Sequence, residues 1–270
     1  MSISGLMQGK RGLIMGVANN HSIAWGIAEV LHKAGAELAF TYAGETFKKR
    51  VEPLVAPLNP AAVIDCDVTQ QGSIDAAFAE LKKKWDTIDF LVHAIAFSDK
   101  NQLQGRYIDT TPENFQNTLN ISAYSFTAVA QRAEKMMPKG GAMVTLTYYG
   151  AEKVMPHYNV MGVAKAALEA ITRYMAEDLG KQGIRVNSIS AGPIKTLSFA
   201  GISDSRYILK WNELNSPLRR AVTIEEVGNT ALYLLSDLGS AVTGENIHVD
   251  SGYHVVGMKA VDAPDIATTK

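Results

Sequence analysis

Apolar residues in this chain recur in two rhythms. Short, nearly continuous apolar runs alternate with stretches of about 12 to 25 residues whose apolar positions return every three or four residues. The first run lies within residues 10–17. After Ala-Asn-Asn-His-Ser comes a helical stretch with Ile23, Ile27, Val30 and Leu31 on one face and Gly35 as its stop. Residues 37–42 predict a second strand, and residues 61–68 contain a third. A helix over 73–85, a strand over 88–95 and a long helix from Thr111-Pro112-Glu113 to about Met137 follow. Residues 142–147 predict strand five, a helix beginning near Pro156 runs to Gly180, and residues 184–189 predict strand six. Thr223 and Glu226 have the spacing of a capping box before another helix, and residues 246–250 close the pattern as a last strand.

Strands that read as unbroken apolar runs are buried on both faces, as parallel strands are when helices cover each side. The prediction is therefore an α/β fold: a Rossmann-like doubly wound parallel sheet of about seven strands with helices on both faces. No linker interrupts the chain, so residues 1–270 are expected to form one domain. In such sheets ligands bind beyond the carboxyl ends of the strands, at the switch point. The loops after each strand are the places to look for chemistry.

Composition narrows the functional classes. Apolar residues are 47%, charged residues 20% and the formal charge is −1, which leaves no electrostatic bias toward nucleic acid or anionic lipid. The single cysteine, Cys66, allows no intramolecular disulfide, and a cytoplasmic location fits best. The N-terminus lacks the apolar core of a signal peptide, and no apolar run approaches the 18 or so residues that span a bilayer. Six histidines are scattered without metal-ligand spacing, so no metal site is expected.

After strand one, Gly16 and Gly26 bracket a loop in which Ser22 stands where a dinucleotide fingerprint would place glycine. Ser22 could offer a hydroxyl to phosphate or simply cap a helix. Residues 41–44, after strand two, include Ala43 and carry neither the acid that selects a ribose hydroxyl nor a base for a 2′-phosphate. NAD and NADP stay open on these residues. Lys48, Lys49 and Arg50 read as a solvated helix face. Asp67 and Val68 could meet an adenine, with a turn role for Asp67 equally ordinary. Small residues over 93–98 suit a flat ligand or core packing, and after strand six Gly192-Pro193 forces a turn that puts Thr196 within reach of an amide.

Tyr158 and Lys165 are seven residues apart. At about 100° per residue this returns them to one helix face, roughly 10 Å apart along the axis. Such pairs also arise by chance, so spacing alone leaves catalytic and packing readings open.

Taken together, Gly16-x5-Ser22-x3-Gly26, Cys66-Asp67-Val68, residues 147–152 leading to Tyr158-x6-Lys165, and residues 185–196 resemble the short-chain dehydrogenase/reductase superfamily. Within it they are similar to the divergent branch of bacterial NADH-dependent enoyl-acyl-carrier-protein reductases, over about Leu6 to Gly257. Most of the superfamily uses Tyr-x3-Lys with a serine at the end of strand five. Here the interval is seven and Tyr148 takes the serine position, both as in the enoyl reductase branch. Ala96, where glycine is expected beside the nicotinamide, and Ala43, where many NADH-using members have a polar residue, depart from the branch.

The resemblance implies a dinucleotide-binding catalytic domain with a substrate lid over about 196–217. It implies reduction of trans-2-enoyl thioesters by NADH, with NADPH left open, as the final reductive step of each fatty acid elongation cycle. The catalytic residues would be Tyr148, Tyr158 and Lys165, with Lys165 making the Tyr158 phenol a better donor. Gly16, Ser22, Ile23, Ala43, Asp67, Val68, Ile95, Lys165, Ile194 and Thr196 would hold the cofactor. Ser98, Tyr148, Tyr158, Phe199 and Ile202 would hold the substrate. The implied partners are acyl carrier protein and copies of the chain in a homotetramer, with Gly162, Ala164, Ala166 and Ala167 suited to close packing within or between subunits. A carbonyl reductase of the same superfamily would want the three-residue interval and the serine, and a non-enzymatic NAD(P) sensor would need neither Tyr158 nor Lys165.

Overall fold

The computed structural model describes residues 4–200 and 202–266. Seven strands, β1 (Arg11–Met15), β2 (Glu37–Tyr42), β3 (Ala62–Asp65), β4 (Phe90–His93), β5 (Gly141–Thr147), β6 (Ile184–Ala191) and β7 (Asn246–Val249), form one parallel sheet in the order β3-β2-β1-β4-β5-β6-β7. The strand alternation divides the core. Leu13 and Met15 of β1 join a cluster with Ile74, Leu81, Phe126 and Leu168, while Ile14 between them joins Ile27, Leu31, Val51 and Val227 on the opposite face. Both faces are therefore apolar, which is why the strand runs lack polar alternation.

One face is covered by α1 (Ile23–Lys33), α2 (Gly44–Val55) and α9 (Ile224–Leu235). The other is covered by α3 (Gln71–Lys82), α5 (Ser125–Ala133) and α6 (Asn159–Gly180), with α4 (Pro112–Leu119) leading into α5. Two short helices, α7 (Leu197–Ala200) and α8 (Ser205–Asn215), lie between β6 and α9. The helices α1 and α9 cross at glycines: a Cβ on Gly26 would stand 2.5 Å from the Ile224 carbonyl oxygen, and one on Gly228 would stand 2.7 Å from that of Gly26. Gly26 therefore serves helix packing. Among the described residues no helix is long and apolar enough to cross a membrane, and no group of three or more His, Cys, Asp or Glu could hold a metal ion.

Two helices depart from the periodicity. The helix expected to run unbroken to Met137 is interrupted by a π turn over 120–124 and ends in a 3-10 turn. Its serines explain the break: Ser125 Oγ donates to the Ile121 carbonyl at 2.6 Å, and Ser122 Oγ donates to the Phe97 carbonyl while accepting from Phe97 N. The helix expected from Pro156 starts instead at Asn159, with Tyr158 as its N-cap. His157 has φ of 57°, a left-handed backbone no α-helix can carry through.

The capping box at α9 is present as the spacing predicts. Thr223 Oγ1 accepts from Glu226 N, Glu226 Oε2 accepts from Thr223 N, and both Glu226 oxygens accept from Arg220. The Arg220 hydrogen bond, which outweighs partial burial, pulls the Glu226 carboxyl down to about 2. Glu226→Ala is expected to cost about 1 kcal/mol of stability at pH 7. A carboxylate with a depressed native pKa stabilises above its ordinary value of 4.5 and ceases to do so as pH falls toward 2. Urea midpoints of wild type and variant should therefore differ at neutral pH and converge near the acid limit; an equal gap at both would refute this account.

Candidate active site

The order of the sheet reverses between β1 and β4, so the loops after these strands diverge and leave a crevice at their carboxyl ends. At its base the loops nearly touch: Gly16 has φ of 103°, and a Cβ there would meet the Ala94 carbonyl oxygen at 2.1 Å. Only glycine fits. From this point a cleft of about 660 Å³ runs across the strand ends to α6 and α7. All fifteen residues singled out as candidates line it: Gly16, Ser22, Ile23, Ala43, Asp67, Val68, Ile95, Ser98, Tyr148, Tyr158, Lys165, Ile194, Thr196, Phe199 and Ile202.

At the β1 end, Ser22 precedes α1 but makes no capping bond with its side chain. Its Oγ turns back, accepting from Ala18 N at 3.0 Å and Asn19 N at 3.1 Å, and so shapes the loop that opens onto the α1 N-terminus. Past β3, Asp67 is both turn residue and cleft wall, because its Oδ1 accepts from Thr69 N and Thr69 Oγ1. Asp65 Oδ1 accepts from Gly44 N at 2.9 Å, which ties the loop after β2 to the end of β3. Lys48 stands 3.8 Å from Glu45. This end of the cleft thus carries the Asp67 carboxylate, with Asp65 holding the Gly44 loop, and Lys48 is already paired with Glu45.

At the other end, Tyr148 follows directly on β5, and Tyr158 sits at the head of α6. Their rings meet edge to face at 5.0 Å between centroids and 74° between planes. The 3-10 turn over 149–151 seats the second ring: a Cβ on Gly150 would come within 2.4 Å of the Tyr158 ring, and one on Gly162 within 2.7 Å of the Gly150 carbonyl oxygen. Burial raises the Tyr158 phenol above its ordinary pKa, with Tyr148 and Glu169 adding to the rise, and burial followed by Tyr253 and Asp250 does the same for Tyr148. Both are neutral hydrogen-bond donors at physiological pH. In this structure burial, Tyr148 and Glu169 set the direction of the Tyr158 shift, upward.

Lys165 lies two turns further along α6, 6% exposed, with Nζ donating to the Leu146 carbonyl at 2.7 Å. Burial pushes its ammonium down to about 8, while Glu169 opposes the shift. Glu169 is itself raised by burial, and its Oε1 accepts from Thr147 Oγ1 at 2.7 Å. Below the lysine, His93 ends β4 wholly buried between Ser125 Oγ at 2.8 Å and Thr145 Oγ1 at 3.2 Å. Ser125 gives its one proton to the Ile121 carbonyl, so His93 Nε2 donates to Ser125. Burial first, and the Lys165 charge second, push the imidazole down to about 3.

Apolar side chains that sequence reasoning did not single out complete the walls: Phe47 of α2, Leu103, Ile121 and Met161. Met161 had a legible signal, lying three residues after Tyr158 and four before Lys165 on the same helix face. Leu103 had none, since it is brought in by a loop. Leu103, Tyr158, Val160, Met161 and Ala164 form a cluster against which Tyr148 and Ile202 pack. Thr196 Oγ1 accepts from Phe199 N and so starts α7, whose Phe199 faces the cleft. The cleft therefore has an end edged by the Asp67 carboxylate, a middle floored by small residues with a buried cation, and an apolar end lined by two phenols.

The chain shares this architecture with characterised proteins. The profile of the family described as Enoyl-(Acyl carrier protein) reductase matches residues 16–254. A Rhizobium meliloti protein named enoyl-[acyl-carrier-protein] reductase [NADH] 1 is 69% identical over 267 residues, covering 99% of this chain and 98% of its own length. A Bacillus cereus protein named as an NADH-dependent enoyl-[acyl-carrier-protein] reductase is 54% identical, with 93% and 99% covered. The crystal structure of the Anaplasma phagocytophilum reductase in complex with NAD superposes with a TM-score of 0.93 at 59% identity, covering 98% of this chain and 100% of that one. The Bacillus cereus enzyme with NADP+ and indole naphthyridinone gives 0.92 at 53% identity, covering 94% and 99%. With its sheet order, its cleft and its sequence matched over nearly the whole length, the chain belongs to the enoyl-(acyl carrier protein) reductase family.

Proposed function

We propose that this chain reduces the trans-2 double bond of enoyl thioesters carried on acyl carrier protein, using NADH, as the last reductive step of a fatty acid elongation cycle. The observation that carries the reading is one continuous cleft, with a carboxylate-edged dinucleotide end, Lys165 at its middle and the Tyr148–Tyr158 pair at its apolar end.

The residues present fit the cofactor. The first turn of α1, left uncapped by the Ser22 side chain, would receive the pyrophosphate with Gly16, Ser22 and Ile23 around it. Ala43, Asp67 and Val68 would hold the adenosine, Lys165 the nicotinamide ribose, and Ile95, Ile194 and Thr196 the nicotinamide. Lys165 spends one donor on Leu146 and keeps two for the ribose hydroxyls. When bound, the nicotinamide supplies a hydride to the β-carbon of the enoyl group. Negative charge then moves to the thioester oxygen. Tyr158, neutral and buried, donates to that oxygen in a site where water does not compete. Tyr148, Ser98, Phe199 and Ile202 line the acyl end, and the described residues of 196–217 would form the lid over it.

The same reading places the enzyme in the cytoplasm as a homotetramer. Of the small residues on α6, Ala164 is fully buried within the chain and Gly162 packs on Gly150, whereas Ala166 is exposed. Together with Tyr174, 77% exposed on the same helix, Ala166 leaves a surface suited to a second copy. Sedimentation equilibrium should return four copies.

The deciding assay follows NADH, then NADPH, with crotonyl thioester, with acetoacetyl thioester and with neither. Consumption with crotonyl thioester alone, faster with NADH, is expected. Oxidation with acetoacetyl but not crotonyl thioester would make the chain a carbonyl reductase instead.

A further inference from the structure

Tyr158 is flanked by two non-glycine residues with left-handed backbones, His157 at φ 57° and Asn159 at φ 38°. A conformation of this kind persists only where surrounding contacts over-determine it. Each residue has such a contact, and the two contacts come from different walls of the cleft, one carrying Ile202 and the other Leu103. His157 Nε2 pairs with Asp204 Oδ2 at 3.0 Å. Asp204 is itself left-handed, at φ 55°, and is the N-cap of α8. On the other side, Asn159 Nδ2 donates to the carbonyls of Leu103, at 3.1 Å, and Gly105, at 3.3 Å.

The two walls are also the ones that face the apolar end. Leu103 and Ile202 line it, and both pack in the cluster that holds the Tyr158 ring. The His157 and Asp204 side chains are 32% and 64% exposed, so their pairing adds little to the stability of the fold. Its location, joining the lid to the residue before Tyr158, is what sets it apart.

We propose that His157, Asp204 and Asn159 form a two-sided clasp that holds the backbone of Tyr158 and so places its hydroxyl. They are positioning residues for turnover, gripped by the two walls that close around the acyl chain. The proposal rests on the reading of Tyr158 as the donor to the thioester oxygen.

The test uses the intact enzyme with NADH and crotonyl thioester. His157→Ala and Asp204→Ala are each expected to lower kcat about tenfold, since small displacements of a reacting group are costly. The NADH dissociation constant and the melting temperature should stay at wild-type values, and the double variant should be no slower than the slower single one. Asn159→Gly tolerates the left-handed backbone but loses both hydrogen bonds, and should slow turnover similarly. Asp204→Glu should restore part of the rate. The sharpest readout is the Tyr158→Phe background, in which the clasp substitutions should cost nothing further. Wild-type kcat in both single variants overturns the clasp, as does a full additional loss on top of Tyr158→Phe or a matching loss of NADH affinity. Wild-type turnover in Tyr158→Phe alone would remove the role of Tyr158, and the clasp with it. A slow Tyr158→Phe beside unaffected clasp variants would remove the clasp only.

Discussion

Tyr158→Phe should lose roughly 2 to 4 kcal/mol of transition-state stabilisation, read as a fall in kcat at unchanged NADH affinity. The ring itself has structural duties that phenylalanine keeps. It packs edge to face on Tyr148 and fills the space that Gly150 leaves open. What the substitution removes is one hydroxyl, 8% exposed as a residue and held neutral by burial. In such a setting a donor aimed at a developing negative charge is worth far more than in water. Steady-state kinetics with crotonyl thioester, together with NADH titration, separate the two quantities. Unchanged turnover would take Tyr158 out of the mechanism.

Lys165→Met should act in opposite directions on stability and on cofactor binding. Lys165 has a native pKa of about 8, below its ordinary value of 10.5, because burial disfavours the ammonium. Below pH 8 the group is charged in both folded and unfolded chains, and the folded state bears the cost of burying it. As pH rises from 8 toward 10.5 the native lysine gives up its proton first, and that cost is relieved. The shift corresponds to about 3 kcal/mol, from which loss of the bond to the Leu146 carbonyl takes back about 1. Ligand-free Lys165→Met should therefore be about 2 kcal/mol more stable than wild type at pH 7. Its affinity for NADH should fall by an order of magnitude or more, consistent with losing charge-assisted hydrogen bonds to the ribose. In wild type the same titration should raise the KM for NADH above about pH 8. Wild-type NADH affinity in the variant would refute the ribose role, and an unchanged or lower melting temperature would refute the burial cost.

A lysine that destabilises the empty protein is intelligible only through what binds to it. The same logic applies to the left-handed backbones at His157 and Asn159. Tyr158 is the residue flanked on both sides by such backbones, whereas the strands of the sheet follow their propensities closely.

That division separates what could be read from the chain from what could not. The seven strands, their parallel arrangement and the ligand side of the sheet follow from local properties, because strands buried on both faces must be apolar at successive positions. The strand-end residues were legible for the same reason: once the sheet is known, Gly16, Asp67, Tyr148 and Thr196 fall on one edge. The Thr223–Glu226 capping box was equally plain, being a short-range pattern with a short-range cause. Tyr158 shows where local reading stops. Periodicity put it inside a helix from Pro156, on one face with Lys165. The folded chain puts it at the helix head, with its pKa decided by burial, Tyr148 and Glu169. His157 meets Asp204 across 47 positions and Asn159 meets Leu103 across 56. Contacts at such separations leave no periodic trace, and desolvation is a property of the whole packed interior. The sequence by itself determined the sheet and which edge of it binds; only tertiary packing decided where the Tyr158 hydroxyl sits and what state the buried groups beside it are in.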